Sequence, residues 1–190
     1  MSKLEILVDV DGVCADFLGP VLDTIYEVSG TRYSREDVNG WNIEECLDLD
    51  RDDWAETVKE IQSPGFARKL QPLPHAIESV KKLAQRHEVY FVTADWRGSP
   101  TWVYDRNHWL TDHFGALGKR TIHTSQKYLI SGNVLIEDKP GNVHGWAVRQ
   151  KGHAILFDTP YNRDEQDRFY FTRVMSWPEA LRAINEVKLQ

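Results

Sequence analysis

Asp9 and Asp11 stand one residue apart at the end of an apolar run in LVDVDGVCADF (Leu7 to Phe17), and Gly12 follows them directly. A carboxylate at the end of a buried strand must be solvated, paired with a cation or put to work. Other reactive groups close later segments: VYFVTA ends in Thr93 and Ala94, NVLIED ends in Glu137 and Asp138, and Lys127 completes the polar turn HTSQK. Gathered at one sheet edge, they would set four carboxylates, a hydroxyl and an ammonium together. Like charges at close quarters raise one another's pKa, and dehydration adds to the cost. A hard divalent cation resolves the conflict. Oxygen donors without paired His or Cys favour Mg²⁺, which keeps several waters and takes phosphate oxygens. Lys127 would supply the remaining positive charge. One aspartate could then attack phosphorus to give an aspartyl-phosphate. The other could protonate the leaving oxygen and later deprotonate water. Period-2 spacing puts both side chains on one face of an extended segment, and Gly12 lets the chain turn away at once. Taken singly, these residues are ordinary turn, strand and surface residues; their order and shared strand-end placement carry the inference.

The elements that must position them follow from the apolar pattern. Runs at Ile6–Val8, Val89–Ala94, Asn133–Asp138 and Ala154–Asp158 predict buried strands, with Arg120–Thr124 a weaker candidate. Between them, His75–His87 places Ile77, Val80, Leu83 and Ala84 on one helical face. Ser99–Phe114 opens on Ser-Pro and is followed by Gly115. Ser176 and Glu179 predict a capping box for a last helix reaching about Val187. Strands alternating with helices predict an α/β class with a mainly parallel sheet, which binds ligands at the carboxyl ends of its strands. Residues 18–73 break the alternation. They read as helices over Ala15–Val28, near Ser34–Asn39 and over Asp52–Ile61, punctuated by SPGF and QPLPH. The expected organisation is a core of residues 1–17 and 74–190 with a helical cap of residues 18–73 over the strand ends.

Composition narrows the function classes. A chain of 190 residues suits one domain with an insertion. A net charge of −6 with scattered basic residues argues against a nucleic acid polymer as partner but not against a small nucleotide. The apolar run near the N-terminus is too short for a signal or a membrane span. Two cysteines without metal-like spacing point to a reducing cytoplasm, and Cys14 reads as a small buried apolar residue. Seven Trp suit a site that stacks flat ligands, with Trp41 and Phe66 as candidates. Among seven His, no pair has zinc spacing; His108 and His113 are five apart. DLDRDDWAETVK (Asp48–Lys59) has acids at calcium-loop positions 1, 3 and 5, but Asp53 stands where glycine is needed and Lys59 where a bidentate Glu is needed. It reads as a capped helix start.

The chain resembles the haloacid-dehalogenase (HAD) superfamily of phosphohydrolases. DVDGV matches the first motif, VYFVT the second, Lys127 the third and LIEDKPGN the fourth. Within that superfamily it resembles the 5'(3')-deoxyribonucleotidases through LVDVDGVCADF, SPGFARKLQPLPHA, SQKYLISGNVLIEDKP and HAILFDTPYNR. The matches run through most of the chain and are weakest between Gly30 and Gln62. The resemblance implies a Rossmann-like three-layer core, a small helical cap after the first strand, and Mg²⁺-dependent hydrolysis of (deoxy)nucleoside monophosphates. By position it implies Asp9 as nucleophile and metal ligand, and Asp11 as acid/base that also offers its backbone carbonyl to the metal. Thr93, Ala94 and Lys127 fall at the phosphate, Asp138 at the metal with Glu137 behind it, and Phe17 in the base pocket. Relatives often carry Asp-Asp at Glu137-Asp138 and Thr-Ser at Thr93-Ala94, so a hydroxyl is missing here. The partner expected is a small phosphate ester, with no nucleic acid polymer and no membrane, and relatives supply an analogy for a homodimer. The alternatives are a phosphatase for another small ester, such as a sugar phosphate or modified nucleotide, and a non-catalytic nucleotide-binding protein. A dehalogenase would leave Asp11 and the acidic pair unexplained.

Overall fold

Ile6, Leu7 and Val8 of strand β1 (Glu5–Val8) are all buried, as a central strand covered on both faces requires. The computed structural model describes residues 3–165 and 170–187. Strands β2 (Glu88–Thr93), β3 (Thr121–His123), β4 (Val134–Glu137), β5 (His153–Phe157) and β6 (Phe171–Val174) join β1 in one sheet of order β3-β2-β1-β4-β5-β6. Every pairing is parallel. The eight α-helices among the described residues are α1 (Leu18–Ser29), α2 (Ile43–Cys46), α3 (Arg51–Ile61), α4 (Phe66–Lys69), α5 (Ala76–Ala84), α6 (Trp102–Phe114), α7 (Pro140–Gln150) and α8 (Trp177–Glu186).

The strand period of two divides the core into layers. Ile6, Val8, Val89, Phe91, Val134, Ile136 and Ile155 pack with Val80 and Leu83 of α5, Trp109 and Leu110 of α6, and Ala180 and Ile184 of α8. Leu7, Val92, Leu135 and Leu156 face the other way, onto Val143 and Trp146 of α7. The result is the α/β, three-layer, parallel architecture expected. The strand order reverses direction at β1, so a crevice opens at the carboxyl ends of β1 and β4. Among the described residues, no helix is long and apolar enough to cross a membrane.

Between β1 and α5 the chain builds a third apolar cluster from Leu18, Val21, Leu22, Ile25, Val38, Leu47, Ile61 and Ala67, with Trp102 of α6 added. Helix α1 starts at Leu18, later than its apolar pattern suggests, because residues 10–16 form a tight turn instead. Cys14 N and Ala15 N both donate to Val10 O at 2.7 Å, and Gly12 N donates to Ala15 O at 2.9 Å. That turn is strapped to residues 71–73 by Asp16 N to Gln71 O and Leu73 N to Cys14 O, each 2.8 Å. Helix α1 ends at a left-handed Gly30.

The other differences have local causes. The helix expected over Ser34–Asn39 is a single 3₁₀ turn, Arg35–Asp37, closed by Ser34 N and Oγ donating to Asp37 at 2.7 and 2.8 Å. Helix α6 begins at Trp102 rather than Ser99; Thr101 Oγ1 bonds Asp105 Oδ2 at 2.6 Å and closes the first turn. Ser176 makes no side-chain cap, and Glu179 accepts from Met175 N at 2.7 Å instead. Strand β6 has no expectation behind it, because FTRV is short and sets two polar residues side by side, so it is neither a continuous apolar run nor an alternation.

Candidate active site

Asp9 continues the line of β1: its N–H donates to Ile136 O at 2.9 Å, so its carboxylate is delivered to the crevice. That carboxylate is nearly buried, at 6% exposure. Lys127 reaches it from the 3₁₀ turn Lys127–Leu129, with Nζ 2.5 Å from Asp9 Oδ1 and 2.7 Å from Glu137 Oε2. The other Glu137 oxygen accepts from Lys139 N at 3.1 Å. Asp138 accepts a hydrogen bond from the Tyr161 hydroxyl. Its carbonyl accepts from Asn162 Nδ2 at 2.7 Å, and the same amide also donates to Phe157 O at 2.8 Å. One carboxylate oxygen from each of Asp9, Glu137 and Asp138 lies within 4.8 Å of the others.

One ammonium cannot balance three buried carboxylates, and their acidities record the deficit. Burial, and then the Glu137 charge, raise the Asp9 pKa well above the ordinary range against the pull of Lys127. Burial likewise raises Glu137. Burial and the Asp9 charge push Asp138 up to about 7. Burial works against the Lys127 cation, but Asp9 and Glu137 outweigh it and raise that pKa. Burial and then Asp138 raise Tyr161, which stays a donor. A compact, all-oxygen, charge-deficient cluster fits a hard divalent cation.

Gly12 makes the close approach possible. Its φ is +74°, and a Cβ there would collide with Asp138 Oδ2 and the Tyr161 hydroxyl. Gly12→Ala is expected to cost about 1–2 kcal/mol from the left-handed backbone alone, and more from displacing Asp138. Urea unfolding of the variant beside the parent measures it, and an unchanged midpoint would contradict the geometry.

Asp11 departs from the expected constellation. The backbone already bends at Val10, whose carbonyl accepts from Cys14 N and Ala15 N, so Asp11 is off the extended course and outside the group formed by Asp9, Glu137 and Asp138. Its Oδ1 lies 2.5 Å from Nη2 of Arg106, a residue of α6, and its side chain is 27% exposed. Thr93 ends β2 fully buried, and among the described residues its hydroxyl is held by a long 3.4 Å contact to Ala94 O. Ala94, Asp9, Asp11, Lys127, Glu137 and Asp138 all line one cavity of about 500 Å³, within the range of small-molecule sites.

The same cavity is lined by Phe17, Trp41, Trp54, Trp96 and Trp102. Phe17 lies 5.5 Å from Trp96 and 6.2 Å from Trp102, centroid to centroid. Phe66 is not on the lining; it packs behind, 6.3 Å from Phe17 and 6.4 Å from Trp102. Trp41 is exposed and carries Lys139 Nζ 4.1 Å from its ring centroid. Sequence reasoning missed Arg106, Tyr161, Asn162, Trp96 and Trp102. The only available signal was the segment DTPYNR, which contains Tyr161 and Asn162 but assigns them no role by itself.

Comparison with known proteins bears on what this cavity is for. A family model described as "5' nucleotidase, deoxy (Pyrimidine), cytosolic type C protein" matches residues 3–190. The chain is 29% identical over 189 residues to a Staphylococcus epidermidis protein named "Putative 5'(3')-deoxyribonucleotidase", covering 99% of both. It is 31% identical over 180 residues to a Staphylococcus aureus protein of the same name, covering 94% of both. Among solved structures, the "putative HAD-hydrolase YfnB" of Bacillus subtilis, crystallised bound to magnesium, superposes with a TM-score of 0.61. That match covers 97% of this chain and 100% of the other at 14% identity, so it is a likeness of fold.

Proposed function

Because the chain belongs to the 5' nucleotidase, deoxy (pyrimidine), cytosolic type C family and is a HAD-like hydrolase, we propose that it hydrolyses (deoxy)nucleoside monophosphates to nucleoside and phosphate through Asp9. The observation that carries this reading is the Asp9 carboxylate, gathered with Lys127, Glu137 and Asp138 in a cavity that Phe17, Trp41, Trp54, Trp96 and Trp102 also line. In the proposed reaction an Asp9 oxygen bonds to phosphorus while the bond from phosphorus to the ester oxygen breaks. The released electron pair stays on that oxygen, which takes the proton of the Asp11 carboxylic acid and leaves as the nucleoside hydroxyl. Asp11, now a carboxylate, takes a proton from water as the water oxygen bonds to phosphorus. The bond between Asp9 and phosphorus breaks, Asp9 returns as a carboxylate, and phosphate departs.

Asp9, Asp138 and the backbone carbonyl of Asp11 would hold Mg²⁺. Both Glu137 oxygens are engaged, by Lys127 and by Lys139 N, which suits a residue that supports ligands. When bound, the ion supplies the positive charge the cluster lacks and draws a phosphoryl oxygen toward it. Lys127 is the cation at the phosphate, with Thr93 and Ala94 at the end of β2 beside it. Phe17 and Trp41 offer ring faces to a flat base, and Phe66 props Phe17. We read residues 18–73 as a cap on a core of residues 1–17 and 74–190, supported by the separate apolar cluster of α1 to α4. Two free thiols support a cytoplasmic enzyme.

Phosphate release from 5'- and 3'-monophosphates, deoxy and ribo, tests the reading. Turnover of deoxynucleotides is expected in Mg²⁺ and none in EDTA. A sugar phosphate turning over while every nucleotide stays intact would remove the substrate assignment.

Stability gives a second, independent check. Asp138 has a folded pKa of about 7 against an ordinary 3.8. Between those values the folded chain binds more protons than the unfolded one, so metal-free stability falls as pH rises from about 4 to 7. The loss is at most about 4 kcal/mol. In urea unfolding with EDTA, the protein is expected to be less stable at pH 8 than at pH 5, and Mg²⁺ to recover more at pH 8. Equal midpoints in EDTA at both pH values would contradict the picture of a charge-deficient cluster.

A further inference from the structure

Arg106 is a cationic residue of α6, yet its side chain is 0% exposed. Nη2 meets Asp11 Oδ1 at 2.5 Å, while Nε and Nη1 have no hydrogen-bond partner among the described residues. The rings of Trp102 and Trp109 flank the guanidinium, their centroids 5.4 and 5.6 Å from Cζ. Burying a guanidinium costs several kcal/mol, and a single ion pair returns little more than a well-packed apolar side chain would. Scaffolding alone therefore explains this residue poorly.

What the arrangement does achieve is to fix one carboxyl group. Arg106 supplies the only side-chain hydrogen bond to Asp11 among the described residues. The guanidinium is itself held rigidly. One residue before it, Asp105 accepts from Thr101 Oγ1 at 2.6 Å and from Gly65 N at 2.8 Å, pinning the first turn of α6. One turn after it, Trp109 Nε1 donates to Leu70 O at 2.7 Å. Leu70 leads into residues 71–73, the strap that holds the far side of the Asp11 turn. Asp11 is thus gripped on two sides from one frame.

We propose that Arg106 is a positioning residue for Asp11, holding Oδ1 so that Oδ2 is the oxygen presented to the ester oxygen that leaves. The inference rests on the phosphotransfer reading above. Its signature is selectivity for the leaving group. A nucleoside alkoxide needs the proton that Asp11 delivers as the ester bond breaks, whereas p-nitrophenolate departs with its electron pair and needs none. Loss of Arg106 should slow the first reaction and spare the second.

The test uses the full chain with Mg²⁺, following the first turnover of deoxythymidine 5'-monophosphate and of p-nitrophenyl phosphate by rapid quench and stopped flow. For Arg106→Met, first-turnover cleavage of the nucleotide is expected to fall about a hundredfold. The p-nitrophenolate burst should stay within about threefold of the parent, since no acid is needed there. Arg106→Lys, which still offers a cation to Asp11, is expected to recover about a tenth or more of the parent nucleotide rate. Equal slowing of both esters, or no slowing of either, overturns the proposal. Should Arg106→Met fail to fold by circular dichroism, Arg106→Gln is judged by the same ratio of rates. A parent enzyme that cleaves p-nitrophenyl phosphate but no nucleotide would instead fail the nucleotidase reading, which keeps the two failures distinct.

Discussion

Asp9→Asn is expected to fold and to release essentially no phosphate from any nucleotide, with kcat lowered by about 10⁴-fold or more, roughly 5 kcal/mol of barrier. An amide is not a nucleophile toward phosphorus, and the carboxylates placed with it are engaged elsewhere: Glu137 with Lys127 and Lys139 N, Asp138 with Tyr161, Asp11 with Arg106. The same change relieves the cluster. One of three mutually repelling buried carboxylates disappears, and the amide oxygen can still face Lys127 Nζ, which lies 2.5 Å from Asp9 Oδ1 in the parent. Metal-free Asp9→Asn should therefore be at least as stable as the parent, a trade of activity for stability common where a site is built against its own electrostatics. Steady-state phosphate release beside urea unfolding in EDTA reads both halves. Turnover within tenfold of the parent would dismiss Asp9 as the attacking group.

Lys127→Met is expected to fail in the opposite sense, losing both fold stability and rate. The ammonium lies between Asp9 and Glu137 at 2.5 and 2.7 Å and is itself only 3% exposed. Removing it strips Asp9 and Glu137 of the cation that pairs with both, a change worth about 3–5 kcal/mol in comparable buried pairs. The chain can blunt that loss by protonating Asp9 or Glu137, so the destabilisation should be larger at pH 8 than at pH 5. Added Mg²⁺ should return part of it. If Lys127 also meets the phosphate, kcat falls by about 10²–10³-fold. Denaturant melts at the two pH values, with and without Mg²⁺, separate the contributions. A variant as stable as its parent in EDTA at pH 8 would show that Lys127 does not balance the cluster.

Much of this architecture is legible along the chain because its central strands are continuous apolar runs with a polar group at the carboxyl end. Asp9, Thr93 and the pair Glu137-Asp138 each follow such a run, so their convergence on one sheet edge follows from parallel pairing alone. Strand β6 escapes because FTRV lies at the sheet edge and is neither a continuous apolar run nor an alternation. The start of α1 is misplaced because Cys14 and Ala15 look helical, yet their N–H groups both turn back to Val10 O. The partners of the acidic groups are hidden for a different reason. Arg106 meets Asp11 across 95 positions, and Tyr161 meets Asp138 across 23. Nothing local marks either residue, and a lone Arg or Tyr on an ordinary segment gives no sign of its neighbour. The aromatic lining is half legible: Phe17 and Trp41 stand on it, Phe66 stands behind it, and Trp96 and Trp102 come from the β2–α6 connection and the first residue of α6.

The strap between residues 14–16 and 71–73 means that everything threaded from 18 to 70 leaves and returns through a doorway one backbone rung wide. The excursion is tied to the core a second time, where Gly65 N donates to Asp105 and Trp109 Nε1 donates to Leu70 O, so a replacement insert would have to keep those anchors as well as span the gap. Retargeting such a protein to a differently shaped ester would then mean splicing between the strap and those anchors, with the acidic floor at the sheet edge left as it is.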